Sequence, residues 1–131
     1  MFYRRVKQVF GFGDVVDDSS TPFSLIALAT ANPNLVKAAP GVLVGLHAIN
    51  QSAAVKYLKF YDMKQVPTAG SGAPVRRYAI PASSTGAGFV VPFFVPARFL
   101  VGIAFTITGA QADTDATALA AGDVTLTLEY I

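Results

Sequence analysis

Turn signals interrupt this chain at short, even intervals, and that spacing limits its fold more than any other feature. NPN stands at 32–34, PG at 40–41, NQS at 50–52, PTAGSGAP at 67–74, PASSTGAG at 81–88 and PAR at 96–98. Between them lie short runs rich in Val, Ile, Phe, Tyr and Thr: FSLIALA, VLVGLHAI, AVKYLKFY, VRRYAI, FVVPFFV, FLVGIAFTIT and VTLTLEYI. Many short strands at regular spacing predict an antiparallel β-sandwich or barrel. With an N-terminal run the count comes to about eight, which is the jelly-roll number. The expected fold is therefore all-β, a single-domain jelly-roll-like sandwich.

The last run carries the cleanest pattern. Val124, Leu126, Leu128 and Tyr130 alternate with Thr125, Thr127 and Glu129, so one face is apolar and the other polar. A register slip of one residue would invert every side chain, so the register is well specified. AVKYLKFYD is less clean, since Ala54, Tyr57, Leu58 and Tyr61 also suit a helix. Its aromatic content and neighbouring runs favour a strand. Lys56 and Lys59 then point to opposite faces, stems along apolar surface and ammonium groups in water. A strand apolar on both sides suits a sheet that also packs on its outer surface.

Residues 87–107, AGFVVPFFVPARFLVGIAFTI, carry one charge and have the length of a membrane span. Their internal order argues against one. Phe99, Val101, Ile103, Phe105 and Ile107 alternate with smaller or more polar residues, and Pro92 and Pro96 would interrupt a helix. The N-terminus has positive charge but no apolar core segment, so no signal peptide is expected.

Residues 1–22 read as an arm, or a first strand and loop, attached to a body of residues 23–131. FYRRVK is basic, GFG flexible, and DVVDDSSTP acidic and turn-rich. The chain is 53% apolar and only 14% charged. One core of 131 residues cannot hide that much apolar surface, which predicts burial against a partner. Candidate subunit contacts are Phe2, Tyr3, Arg4, Arg5, Lys7, Phe10 and Phe12 in the arm, with Lys56 and Lys59 in the body.

Chemistry finds little material. There is no cysteine and a single histidine, His47, in an alternating run. Ser71 in GSG lacks an elbow motif, and no phosphate-binding loop or dinucleotide fingerprint is present. Asp14, Asp17 and Asp18 read as a solvated acidic loop. No catalytic residue and no cofactor is expected. The stretch ADTDATALAAGDV poses the metal question. Calcium loops supply oxygens at tight regular spacing, whereas here mostly alanine separates Asp115 from Asp123. A capped connection accounts for every position: Thr114 or Asp115 caps a short helical turn over Ala116–Ala121, and Gly122 ends it. No metal ligands are expected.

Arg4, Arg5 and Lys7 beside Phe2 and Tyr3, or Arg76 and Arg77 beside Tyr78, have the make-up of a nucleic-acid clasp. A net charge of +2 is weak for that role. Arg76 and Arg77, bracketed by Pro74 and Pro81, read better as an edge strand whose charge blocks unwanted pairing. Asn50-Gln51-Ser52 fits a glycosylation acceptor by chance.

Several residues together resemble a group of small proteins encoded by tailed bacteriophages and prophages. They are Asn50 at a turn, Tyr57-Leu58-Lys59 with Tyr61, Pro67-Thr68 before Pro74, and Ile80-Pro81. Gly102 ahead of Ile107-Thr108, then Asp113-Thr114-Asp115, and Tyr130 complete the set. The resemblance covers roughly residues 32–131 and leaves the arm outside. Ala97-Arg98 stands where a glycine-rich approach is expected. The resemblance implies a virion component in the capsid or head–tail region, made in the host cytoplasm. Such a protein is most simply a capsid decoration or cement protein. The implied partners are other virion proteins, the major capsid protein first, together with further copies of itself, a trimer among the candidate symmetries. It implies no membrane or nucleic-acid partner. The rival expectation is a tail or fibre sandwich that binds a host glycan through Tyr3, Tyr57, Tyr61, Asp62 and Tyr78.

Overall fold

The structure, a computed structural model, describes residues 19–82 and 88–131. Eight strands appear among them: β1 (Thr21–Ile26), β2 (Asn34–Lys37), β3 (Gly41–Asn50), β4 (Lys56–Asp62), β5 (Arg76–Ile80), β6 (Phe89–Phe99), β7 (Ile103–Thr108) and β8 (Val124–Tyr130). No helix is present among the described residues. One sheet, here sheet A, has the order β1-β8-β3-β6, and sheet B has the order β2-β7-β4-β5. Every neighbouring pair is antiparallel. The chain changes sheet at each connection except β4–β5, the double Greek-key winding of a jelly roll.

The core lies where period-two patterning sends the large side chains. Val124, Leu126 and Leu128 of β8 are buried against Leu58 and Phe60 of β4 and Ile103, Phe105 and Ile107 of β7. Thr125, Thr127 and Glu129 turn to the outer face of sheet A. AVKYLKFYD is a strand, because Leu58 and Phe60 reach the core only at strand spacing. No helix of the described residues is long and apolar enough to cross a membrane.

Several elements depart from the sequence expectation. The eighth strand is β2, four residues of NLVK. The N-terminal run lies outside the described residues, and β1 takes in Thr21 and Pro22. β6 runs through both Pro92 and Pro96 as an edge strand bonded only to β3. The register shifts between Leu43 and Gly45, where Val44 faces a longer stretch of β6, and a bulge of this kind accommodates residues without ladder donors. The alternation over 99–108 is broken at Leu100–Gly102, a turn between β6 and β7. Finally, residues 115–120 have no regular secondary structure and form no helical turn. Gly109 N donates to Thr117 O and Leu119 N to Thr30 O, while Leu119 is buried in the core. Six residues make a marginal helix whatever their propensity, and one bond within the connection, one to distant Thr30 and one buried leucine override it. Gly122 does adopt the left-handed conformation, at φ 82°.

Candidate functional site

The acidic stretch closes over sheet B. Asp113 accepts two parallel bonds from Arg77, from Nε at 2.7 Å and Nη2 at 2.6 Å. The bidentate bond to Arg77 holds the Asp113 carboxyl below its ordinary range. Asp115 turns back on its own loop, accepting from the Thr117 hydroxyl at 2.6 Å and from the backbone N–H groups of Ala110 and Thr117 at 3.1 Å. Asp123 accepts from Ala120 N and pairs with Lys56 at 3.5 Å. Each carboxylate thus has its own partners, and no group of three potential metal ligands occurs among the described residues.

Lys59 explains why this loop sits where it does. It alternates with Leu58 and Phe60, so it leaves β4 on the outer face of sheet B, opposite Thr106. That face is covered by residues 109–118. Lys59 is 1% exposed, and its ammonium donates to the carbonyls of Ala110 at 3.2 Å and Ala112 at 2.5 Å. Burial lowers its pKa, partly offset by Asp115 and Asp113. The expectation of an outward-packed sheet is met, since the chain itself supplies the cover. The expectation of an ammonium in water is corrected: the nearest acceptors are loop carbonyls, not solvent. Lys59 is enclosed by the chain's own loop, and Lys56 pairs with Asp123. Phe2, Tyr3, Arg4, Arg5, Lys7, Phe10 and Phe12 lie outside the described residues, as do Asp14, Asp17 and Asp18.

Asp62, at the end of β4, has a role no spacing announced. Its carboxylate accepts from Leu100 N at 2.9 Å, Val101 N at 2.7 Å and Gly102 N at 3.1 Å, pinning the β6–β7 turn. Burial alone raises the Asp62 pKa, but the three N–H donors outweigh it and hold it below the usual carboxylate range. The folded state therefore releases this proton more readily than the unfolded chain. The resulting stabilisation is present above the unfolded carboxylate pKa of about 3.9 and is lost as pH falls through the depressed value. Asp62→Asn is expected to cost about 1–3 kcal/mol at neutral pH. Denaturant titrations across pH should show the gap from the native chain narrowing from about pH 4 downward. A gap that stays constant with pH removes the charge from the explanation.

The remaining candidates are dispersed. His47 is exposed on the outer face of sheet A, its Nε2 beside Gly88, where a Cβ would approach to 2.7 Å. Ser71 belongs to the β4–β5 loop next to sheet B, so nucleophile and base are not brought together. Asn50 is buried, and its amide nitrogen donates to Ala54 O at 2.9 Å and Ile80 O at 3.0 Å. Its side-chain oxygen accepts from the Ser52 backbone and hydroxyl, so the acceptor-like triplet is a turn device. Arg76 and Arg77 do lie on an edge strand, β5. Of the aromatics proposed for a glycan, Tyr61 is buried and Tyr78 packs edge-on against Phe60 and Phe93. Asp62 is committed to the turn.

Two surface concavities stand out among the described residues. One, of about 340 Å³, lies at the β4–β5 loop and is lined by Tyr61, Val66, Thr68 and Ser71 among others. The other, about 260 Å³, crosses the outer face of sheet A between Val44, Gly45, Val90, Pro92, Thr127 and Glu129. Asp62 in the first is committed to the β6–β7 turn, and the second is also lined by His47, which pairs with Thr127 across β3 and β8. The most conspicuous surface is apolar: Phe94 is 94% and Val95 83% exposed on edge strand β6, followed by exposed Leu100 and Val101 in the next turn. A sequence signal for it existed. Phe93, Phe94 and Val95 are consecutive, and adjacent strand residues cannot all face one core. No protein-family model, curated protein or solved structure matches this chain significantly.

Proposed function

We propose that this chain is a structural subunit without catalytic activity, a decoration or cement protein on the capsid of a tailed bacteriophage. It holds to the shell by apolar contact with the major capsid protein. The observation that carries this reading is the bare ridge of Phe94 and Val95 on β6. A phenyl ring left in water forgoes about 1.5–3 kcal/mol that burial supplies, and contiguous exposed apolar surface marks an interaction site. Pro92 and Pro96 lack N–H donors, so the edge is a poor template for strand addition. The contact is made by side chains. The phage assignment itself rests on the residue resemblance described above.

Further support comes from the titratable groups. Asp62, Asp113, Asp115, Lys56 and Lys59 hold the fold together and are not poised for proton transfer. Phe94→Ser combined with Val95→Ser should leave stability within about 1 kcal/mol of the native chain, because both side chains are already exposed. The same pair should sharply reduce the number of copies retained on purified particles, counted by quantitative gel or mass spectrometry. Native occupancy by the double variant would sink the ridge as the shell contact.

A further inference from the structure

The two outer faces of the sandwich are treated differently. That of sheet B lies under the β7–β8 connection, which is why Lys59, Thr106 and Thr108 are buried. On sheet A the register sets Pro22, Glu129, Gly45 and Pro92 in one row and Ser24, Thr127, His47 and Val90 in the next. Because Gly45 has no side chain, the first row sinks into the 260 Å³ groove.

Nothing in the described fold requires that glycine. Its φ is not positive, and a Cβ there would meet only Val91 O, at an ordinary 3.6 Å. Among the described residues the space above it is open, and its walls at Val44, Val90 and Pro92 are apolar.

The described chain begins at Ser19, and Ser20 Oγ donates to Glu129 Oε1 at 2.8 Å. The point from which residues 1–18 extend is thus close to the rim of this groove, since Glu129 is one of its lining residues. At full extension they span roughly 60 Å, far more than the width of the sheet. Their composition is complementary to it: Phe10 and Phe12 suit the apolar floor, and Arg4, Arg5 and Lys7 suit Glu129.

We propose that the outer face of sheet A is the docking surface for the N-terminal segment of a second copy of this chain. An aromatic of residues 1–12 fills the space over Gly45, and the basic run faces Glu129. This deepens the assembly reading above by supplying a contact between subunits. Donor and acceptor share one rim, so two copies facing each other about a two-fold axis exchange segments reciprocally, and the exchange closes at a dimer. A segment returning to its own groove would have to reverse within DVVDDSS, whose three aspartates would then share the rim with Glu129, a like-charge arrangement. In the exchanged arrangement the basic run of one copy meets the acidic run leaving the other.

The chain has no cysteine, so disulfide trapping has no background. Two full-length variants with different tags, Phe12→Cys and Val90→Cys, are mixed and oxidised. The expected product is a mixed disulfide dimer carrying both tags. Light scattering of the unmodified chain should give twice the 13.7 kDa of one copy. Gly45→Trp, which fills the groove, and Val90→Glu, at a position 65% exposed and safe for folding, should both return the single-copy mass, as should removal of residues 1–18. A single-copy mass for the unmodified chain overturns the exchange. So does a double variant, Phe12→Cys with Val90→Cys, that closes its disulfide only within one chain. Either result leaves particle binding through Phe94 and Val95 to be judged by its own experiment.

Discussion

Replacing Phe60 by alanine is expected to lower the free energy of unfolding by about 3–5 kcal/mol, a large share of the roughly 5–15 kcal/mol that holds a typical domain. Phe60 is fully buried on β4 and stands at the centre of an aromatic chain that joins the sheets. Its ring meets Phe99 of β6 edge-on at 6.0 Å and Phe105 of β7 at 6.1 Å. Phe105 in turn meets Phe23 of β1 at 5.8 Å, and Tyr78 of β5 reaches Phe60 at 6.0 Å. Deleting the ring leaves a void bounded by both sheets, and the edge-to-face contacts, about 0.5–1.5 kcal/mol each, go with it. Two sheets linked through rigid ladders cannot collapse freely into that space. Phe60→Leu keeps most of the volume and should cost less than half as much by denaturant unfolding. Equal losses for the two substitutions would show that the ring's edge-to-face contacts, and not the filled volume, carry the effect.

The second large effect is expected at Gly102. A Cβ there would approach Lys37 O to 2.7 Å and Met63 O more closely still. Both obstacles are backbone, one at the end of β2 and the other just past β4, so neither yields by changing a rotamer. Gly102 N also donates to Asp62, so a shift of this residue loosens the turn that Asp62 pins. Gly102→Ala should therefore destabilise by about 3 kcal/mol, at the upper end of the usual cost of overpacking. Gly45→Ala is the control, because the Cβ there meets nothing closer than 3.6 Å, and its cost should stay near about 0.5 kcal/mol. Similar thermal midpoints for the two alanine variants would remove the steric account of Gly102.

Parts of this architecture were legible because they are written in neighbouring residues. The alternation of VTLTLEY states which side of β8 is buried, and the structure follows it. The apolar residues on both faces of β4 signalled an outer cover, and the cover exists, with Lys59 beneath it and not in water as expected. Other parts had no local signature. NLVK is too short to alternate convincingly, and it is a strand because Asn34 and Leu35 pair with Phe105 and Ala104. ATALAA reads as helix by propensity, yet Leu119 gains more from burial and from its bond to Thr30 than one marginal helical turn supplies. The candidate sites divide in the same way. That Asp113, Asp115 and Asp123 decorate a loop was readable from their spacing. Asp62 holding a turn 38 residues away was not.

The order of residues alone determined an all-β sandwich of short strands and a core of alternating apolar positions, because side-chain periodicity is a local property. Tertiary structure alone decided which strands are edges, that Lys59 lies beneath a loop, that Phe94 stands bare, and that Gly45 lies in the same row as Glu129. Those facts depend on which distant segments pair, and pairing is settled by the closure of the two sheets around one core, a condition that no short window of sequence contains.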